Sequence, residues 1–273
     1  MWITMLGTGN ATVTKCYNTC FIFRNPYRGV SLADQYFLVD GGGGNGLLQQ
    51  LELAHINWRN IREIFISHKH TDHLLGILWM VRMICLNMKR NNYEGEAFIY
   101  GHDEVIDILE AMAKMVLQEK DIQFIGKRLH LIKVEDGETR CIIGKKVTFF
   151  DVQSTQAKQF GFSMDLGKGD KLTFLGDEPY NDCERTYAEG SKWLMHEAFC
   201  LSSQADIFKP YEKHHSTAKD AARLAESLGV KNLILYHTED KNIENRKLLY
   251  TADGAEEFSG NIFVPDDLEK IEL

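Results

Sequence analysis

The residues with the plainest chemical meaning lie together in Ser67-His68-Lys69-His70-Thr71-Asp72-His73, directly after an apolar run over 61–66. Histidine is not a common core residue, and Lys69 and Thr71 are polar, so the cluster does not read as packing. In an extended segment alternate positions point to the same side, which lets His68 and His70 share one ion. Asp72 and His73 fall where a following helix begins and are able to turn towards a second ion beside the first. Neutral imidazole and carboxylate suit zinc, manganese or iron. Two further residues of ligand type follow apolar strands elsewhere, Asp177 after 171–176 and His237 after 233–236. Strand ends are where α/β proteins gather their sites. A carboxylate has two oxygens, so Asp177 is suited to bridge two ions.

These groups are far apart in the chain, and the elements between them must carry them to one place. Short apolar runs predict strands over 3–6, 20–23, 36–39 and 61–66, a helix over 47–54, and helices with broad apolar faces over 74–87 and 105–117. Asp103 and Glu104 suit the N-terminus of the last of these. In the second half, strands are predicted over 147–152, 160–166, 172–175, 193–195 and 233–236. A helix is predicted over Ala218–Ser227, with Ser216 or Thr217 as its cap. Strands first come in consecutive runs and later alternate with helices. That mixture predicts sheets with helices outside them, not a plain doubly wound sheet. No linker-like segment or internal repeat interrupts the chain, so one domain over 1–273 is expected.

Composition narrows the class. The 273 residues are 44% hydrophobic and 26% charged, an ordinary globular balance. A chain of this size buries about three quarters of its unfolded surface and needs no disulfide staples. Cys16, Cys20, Cys85, Cys141, Cys183 and Cys200 form no C-x-x-C pair and read as thiols of a reducing, cytoplasmic compartment. The N-terminus lacks the basic and apolar regions of a signal peptide, and no run reaches the ~18 apolar residues of a membrane span. The net charge of −8 argues against holding long nucleic acids by phosphate neutralisation. The glycines at 41–44 are not followed by Lys-Ser/Thr, so they are not a phosphate-binding P-loop and read as a turn. His55, His102 and His130 have no ligand-like neighbours and read as structural or surface residues.

His68-x-His70-x-Asp72-His73 resembles the signature of the metallo-β-lactamase superfamily. Further segments resemble its ribonuclease Z branch: Leu6-Gly7-Thr8-Gly9, Phe37-Leu38-Val39-Asp40-Gly41, Gly176-Asp177, His196-Glu197-Ala198-Phe199, His215-Ser216-Thr217 and Leu235-Tyr236-His237, all in the expected order. The resemblance implies an α/β fold of the αββα type, two mixed β-sheets flanked by helices in four layers. It implies two divalent transition-metal ions, zinc first among them, and hydrolysis by water that the ions acidify. His68 and His70 would bind one ion, Asp72, His73 and His237 the other, and Asp177 would bridge. Asp72 would also serve as a base, His215 would assist phosphate chemistry, and Glu197 would orient it. Asp40 would accept an N–H from a metal-bound histidine. A homodimer is also implied.

The sequence departs from this pattern in one place. Where the superfamily supplies another histidine, ahead of Phe160-Gly161-Phe162, the chain reads Gln153-Ser154-Thr155-Gln156. Gln153, Ser154 or water would have to complete the first ion, so that site is expected to be weak. The ribonuclease Z branch also carries a long transfer-RNA-gripping arm, in its bacterial short form between that histidine and the bridging aspartate. Here the interval runs only from Gln153 to Asp177 and is largely filled by predicted strands. The expected substrate is therefore a small phosphodiester or nucleotide, not transfer RNA. The alternatives are a lactone, ester or thioester hydrolase on the same scaffold, or a non-catalytic metal-binding protein with a degenerate first site.

Overall fold

Near-continuous apolar runs build the first sheet, because its central strands are buried on both faces and successive side chains point to opposite sides. A computed structural model describes residues 1–26 and 34–273. Strands β1 (Trp2–Gly7), β2 (Cys20–Asn25), β3 (Gln35–Val39), β4 (Ile61–Phe65), β5 (Ala97–Gly101) and β6 (Leu129–Lys133) lie side by side in chain order. Phe21, Phe23, Phe37, Val39 and Phe65 point to one side of this sheet, while Cys20, Ile22, Leu38 and Ile64 point to the other. The second face packs against helices α1 (Gly46–Leu53), α2 (Thr71–Lys89) and α3 (Asp103–Val116). A single-turn helix α4 (Glu119–Ile122) follows.

The second sheet runs β7 (Thr139–Ile142), β8 (Lys145–Asp151), β9 (Phe160–Gly167), β10 (Asp170–Phe174), β11 (Trp193–Glu197), β12 (Asn232–Tyr236) and β13 (Asn261–Phe263), again in spatial order. Antiparallel pairs at the β7 end give way to parallel pairs from β10 onward. Two short helices, α5 (Arg185–Ala188) and α6 (Ala205–Phe208), sit in its connections. Longer helices α7 (Ala218–Ser227) and α8 (Arg246–Ala255) belong to the same half. The apolar residues of α7 and α8 pack against the outer face of β11 and β12. The last strand, β14 (Lys270–Glu272), crosses back to pair with β1.

Between the sheets lies an aromatic core. Phe21 meets Phe174 edge-on at 5.2 Å, Phe65 lies 5.0 Å from Phe149, and Phe162 contacts Phe23, Phe37 and Phe174. Offset and edge-to-face pairs of this kind add about 0.5–1.5 kcal/mol each beyond their buried area. The order is therefore helices, sheet, sheet, helices, the αββα sandwich expected from the sequence. Among the described residues, no helix is long and apolar enough to cross a membrane.

Helix α2 begins three residues earlier than its apolar spacing predicts, at Thr71. Its first turn carries Asp72 and His73 in place of an apolar stripe, which is why periodicity alone misses it. The glycines after β3 are not a slack turn. Gly41 N–H donates to His73 O at 2.8 Å, and a Cβ on Gly76 would stand 1.8 Å from Gly41 O. Glycine at both positions lets the loop and the start of α2 touch backbone to backbone.

Candidate metal centre

The C-terminal ends of β3, β4, β10, β11 and β12 release Asp40, His68, Asp177, Glu197 and His237 at one end of the sandwich. Asp40 and His237 leave their strands with left-handed backbone, φ 56 and 58 respectively. Such a conformation costs about 1–2 kcal/mol in an L-residue. It turns the chain sharply enough to aim both side chains inward, and strain of this kind collects at functional sites.

Asp40 is fully buried and organises the cluster from behind. Its carboxylate accepts the backbone N–H of Ser67 at 2.8 Å, the Ser67 hydroxyl at 2.7 Å and the Nδ1–H of His73 at 2.8 Å. With Nδ1 committed to Asp40, His73 turns Nε2 towards the other groups, the nitrogen that would offer its lone pair to a cation once deprotonated. That Nε2 is buried without a hydrogen-bond partner, as are Asp177 Oδ1 and His237 Nδ1. Buried polar atoms are normally paired, and these three converge on one another instead. Nε2 of His73 lies 3.3 Å from Asp72 Oδ2 and 3.2 Å from Asp177 Oδ2, and His237 Nε2 lies 3.4 Å from Asp72 Oδ2. His237 Nδ1 comes within 2.8 Å of Asp177 Oδ1 but without hydrogen-bond alignment. Bonds of about 2.0–2.2 Å in a tetrahedral shell separate neighbouring ligand atoms by about 3.3–3.6 Å. Most of these spacings fit that shell, so Asp72, His73, Asp177 and His237 suit one divalent ion.

His68, His70 and Asp177 form a second group. His68 Nε2 is 2.9 Å from His70 Nδ1 and 3.8 Å from Asp177 Oδ2. Asp177 thus belongs to both groups. The second has three protein donors, and His70 is exposed where the first group is wholly buried. Gln153 does not complete it. That residue is exposed, has φ 55, donates its backbone N–H to Asp151 Oδ1, and is not among the residues lining the cleft.

The electrostatics match the donor set. Burial and the neighbouring His73 hold His68 well below its usual range, as a neutral ligand. Burial opposes charge on His73, but the Asp72 and Asp40 carboxylates outweigh it and raise that imidazole well above its usual range. Burial likewise opposes charge on His237, and Asp177 raises it to about 9. Burial would raise Asp177, yet His237 and His73 hold it well below the carboxylate range. The carboxylates thus favour positive charge on His73 and His237, and a cation bound among these groups would displace the protons that carry it.

Over the metal groups opens a cleft of about 130 Å³ lined by Ala11, His70, Asp72, Gln156, Gln159, Asp177, Glu178, Lys213, His214, His215 and His237. His215 stacks on Phe199, with ring centroids 4.7 Å apart and planes 7° from parallel. Its Nδ1 faces inward, 3.6 Å from Glu197 Oε2 and 3.9 Å from Asp177 Oδ1, which leaves Nε2 turned to the cleft. Glu197 is fully buried and accepts the backbone N–H of Ser216 at 2.5 Å. Thr217 caps α7 in a reciprocal box with Asp220, fixing the segment that carries His215. All the sequence-predicted site residues except Gln153 thus meet here. Gln159, Glu178 and Lys213 were not foreseen. They belong to no ligand motif, and Gln159 has only its place before Phe160-Gly161 to mark it. Away from the site, His102 caps α3 through Nδ1 and His130 stacks on Phe98. The six cysteines are free thiols.

Residues 35–238 match the family described as the Beta-lactamase superfamily domain. The ribonuclease Z of Methanothermobacter thermautotrophicus is 27% identical over 318 residues, covering 100% of this chain and 97% of the relative. That of Streptococcus mutans is 23% identical, with both chains covered in full. Among solved structures, a metallo-β-lactamase fold protein from Bacillus subtilis superposes with a TM-score of 0.77 at 17% identity, covering 99% of this chain and 98% of the other. The short form of human tRNase Z superposes with a TM-score of 0.71 at 23% identity, covering 100% and 99%. With the superfamily domain spanning most of its length and ribonuclease Z relatives aligned from end to end, the chain belongs to the metallo-β-lactamase superfamily and is ribonuclease Z-like.

Proposed function

We propose that this hydrolase of the superfamily is a metal-dependent phosphodiesterase for small substrates. The observation that carries the reading is the His215–Glu197 pair at the rim of a cleft whose floor offers two adjoining metal groups. Thioester hydrolysis on the same scaffold has less use for such a pair, because a thiolate leaves with less need of protonation than the alkoxide a phosphodiester releases. The names of the ribonuclease Z relatives point towards phosphodiester chemistry as well.

Asp72, His73, Asp177 and His237 would hold one ion, and His68, His70 and Asp177 the other. Zinc is the first candidate, from the nitrogen and oxygen donors. Bound there, two divalent ions would offset charge on the phosphoryl group and acidify a water molecule. Asp72 would take up the proton of that water as well as bind an ion. His215, through the Nε2 turned to the cleft, would deliver a proton to the leaving oxygen. Glu197, with Oε2 3.6 Å from His215 Nδ1, would be the carboxylate that orients its ring.

The protein supplied with zinc or manganese is expected to cleave bis-p-nitrophenyl phosphate. His215→Ala should lower turnover by about 10²–10⁴-fold, the usual range for a positioned acid or base, with metal content unchanged. Equal turnover in the variant would remove His215 from the mechanism. Two bound ions with lactone cleavage and no diester cleavage would select the other enzyme class. Two ions with neither activity would leave a metal-binding protein.

The two metal groups should also differ in grip. Four protein donors hold an ion more firmly than three, since the remaining positions fall to exchangeable water. Stepwise chelation followed by elemental analysis should show one ion leaving well before the other. His70→Ala should abolish the early-leaving ion alone. Loss of the late-leaving ion in that variant would reverse the assignment.

A further inference from the structure

Gln159 lies beside both metal groups and has no part in the reading above. Its side chain is 1% exposed. Oε1 accepts the backbone N–H of Asp177 at 2.7 Å. A backbone N–H only donates, so this contact decides which end of the carboxamide is oxygen. Nε2 is therefore turned away from Asp177 N. The carboxamide is also confined, because Gly176, at φ 83, passes so close that a Cβ there would stand 2.6 Å from Oε1. The Gln159 backbone is pinned too, its carbonyl accepting from Val152 N at 3.1 Å.

The Nε2 amide makes no hydrogen bond to any acceptor among the described residues. Unlike His73 Nε2 or His237 Nδ1 it is not a sealed buried atom, and the residue lines the cleft with His70, Asp72 and Asp177. Open to the cleft and without a protein acceptor, this amide N–H₂ is free to donate to an oxygen that enters there. It cannot itself replace the histidine absent from the His68–His70–Asp177 group. Its only coordinating atom, Oε1, is committed to Asp177 N–H, and an amide nitrogen with two hydrogens offers no lone pair to a cation. What it offers is a donor.

We propose that Gln159 Nε2–H is a preset hydrogen-bond donor to an oxyanion, such as a phosphoryl oxygen, that occupies the open side of the His68–His70–Asp177 group. This rests on the reading that the two groups hold divalent ions. Lys213, His214 and His215 line the same cleft and supply further positive or donor groups, while Asp72, Asp177 and Glu178 oppose an anion there unless cations are bound. The donor discriminates by chemistry. An oxyanion accepts it, and an ammonium or an apolar group does not.

The test is calorimetric titration of inorganic phosphate into the metal-reconstituted protein, with metal content read first by elemental analysis. Gln159→Glu keeps the acceptor for Asp177 N–H and exchanges the donor for an acceptor. Gln159→Met removes the donor without adding charge. Both variants are expected to keep the Asp72–His73–Asp177–His237 ion and to weaken phosphate binding by about tenfold or more, as for a hydrogen bond to a charged group. Weakening by Glu alone would be charge repulsion and would overturn the proposal. So would phosphate affinity within twofold of the parent in both variants, loss of all metal from both, or a parent that binds no ions. A parent that binds two ions and phosphate, needs Gln159 for the latter, and cleaves no diester would sink the phosphodiesterase reading while sustaining the donor.

Discussion

Asp177→Ala is expected to cost the protein both metal ions and all measurable diester cleavage. Asp177 is the one residue common to both donor groups, with Oδ2 3.2 Å from His73 Nε2 and 3.8 Å from His68 Nε2, and Oδ1 2.8 Å from His237 Nδ1. Without it the first group falls from four donors to three, and the second keeps only His68 and His70. Two imidazoles alone make a poor site for a divalent ion against water. The carboxylate also neutralises charge, and its removal leaves two cations close together with a single acidic ligand, Asp72, between them and the histidines. The loss should therefore exceed the about 10–100-fold typical of removing a partner outside the ligand shell. Metal content at a fixed free-ion concentration, read beside turnover, is the measurement. The fold is followed by the unfolding midpoint of the metal-free proteins, because the Asp177 carboxylate lies buried against His237 and His73. A folded Asp177→Ala protein that retains two ions would show that the groups are not joined through this residue.

The ligands were legible in the sequence because each belongs to a local pattern. His68, His70, Asp72 and His73 sit within six positions, and Asp177 and His237 follow apolar strands. Their convergence was not legible from spacing alone, since the contacts join residues up to 165 apart in number, Asp72 and His237. The main strands were equally plain where both faces are buried, as in Phe37 to Val39 or Leu233 to Tyr236. Strand β7 escaped notice because three of its four residues are exposed, and β6 because His130 interrupts its apolar run. Helix α8 was missed because much of it, from Arg246 onward, is polar. Arg246 is nonetheless buried, donating to Thr8 and Thr238 hydroxyls at 2.9 Å and to Pro265 O at 2.8 Å. A buried arginine is satisfied only by distant partners, and sequence does not announce them. The same holds for Gln159, whose meaning lies in a single contact to Asp177 N–H.

Efficient processing of transfer-RNA 3′ ends is not expected, despite the ribonuclease Z relatives. Between Gln153 and Asp177 the chain makes β9 and β10, joined by a tight turn in which Gly167, Lys168 and Gly169 all have positive φ. The interval is a hairpin, with no protruding segment. The aligned region with the Methanothermobacter enzyme spans 318 residues against 273 in this chain, so about 45 positions have no counterpart here. The net charge of −8 gives little long-range pull on a polyanion. Contacts are then confined to the cleft, where Lys213 and the histidines at 214 and 215 reach a phosphate or two. Proteins that neutralise six to ten phosphates lose about 10³–10⁵ in affinity between 50 and 200 mM salt. With one or two contacts the loss over that range should be only about tenfold or less. The measurement is kcat/KM for a precursor transfer RNA against that for a small diester, each across the salt range. Comparable values with shallow salt dependence are expected. A preference for the RNA of about 10³-fold or more, collapsing steeply with salt, would mean that another surface, such as the one around Lys145 and Lys146 or Lys168 and Lys171, takes the place of the arm.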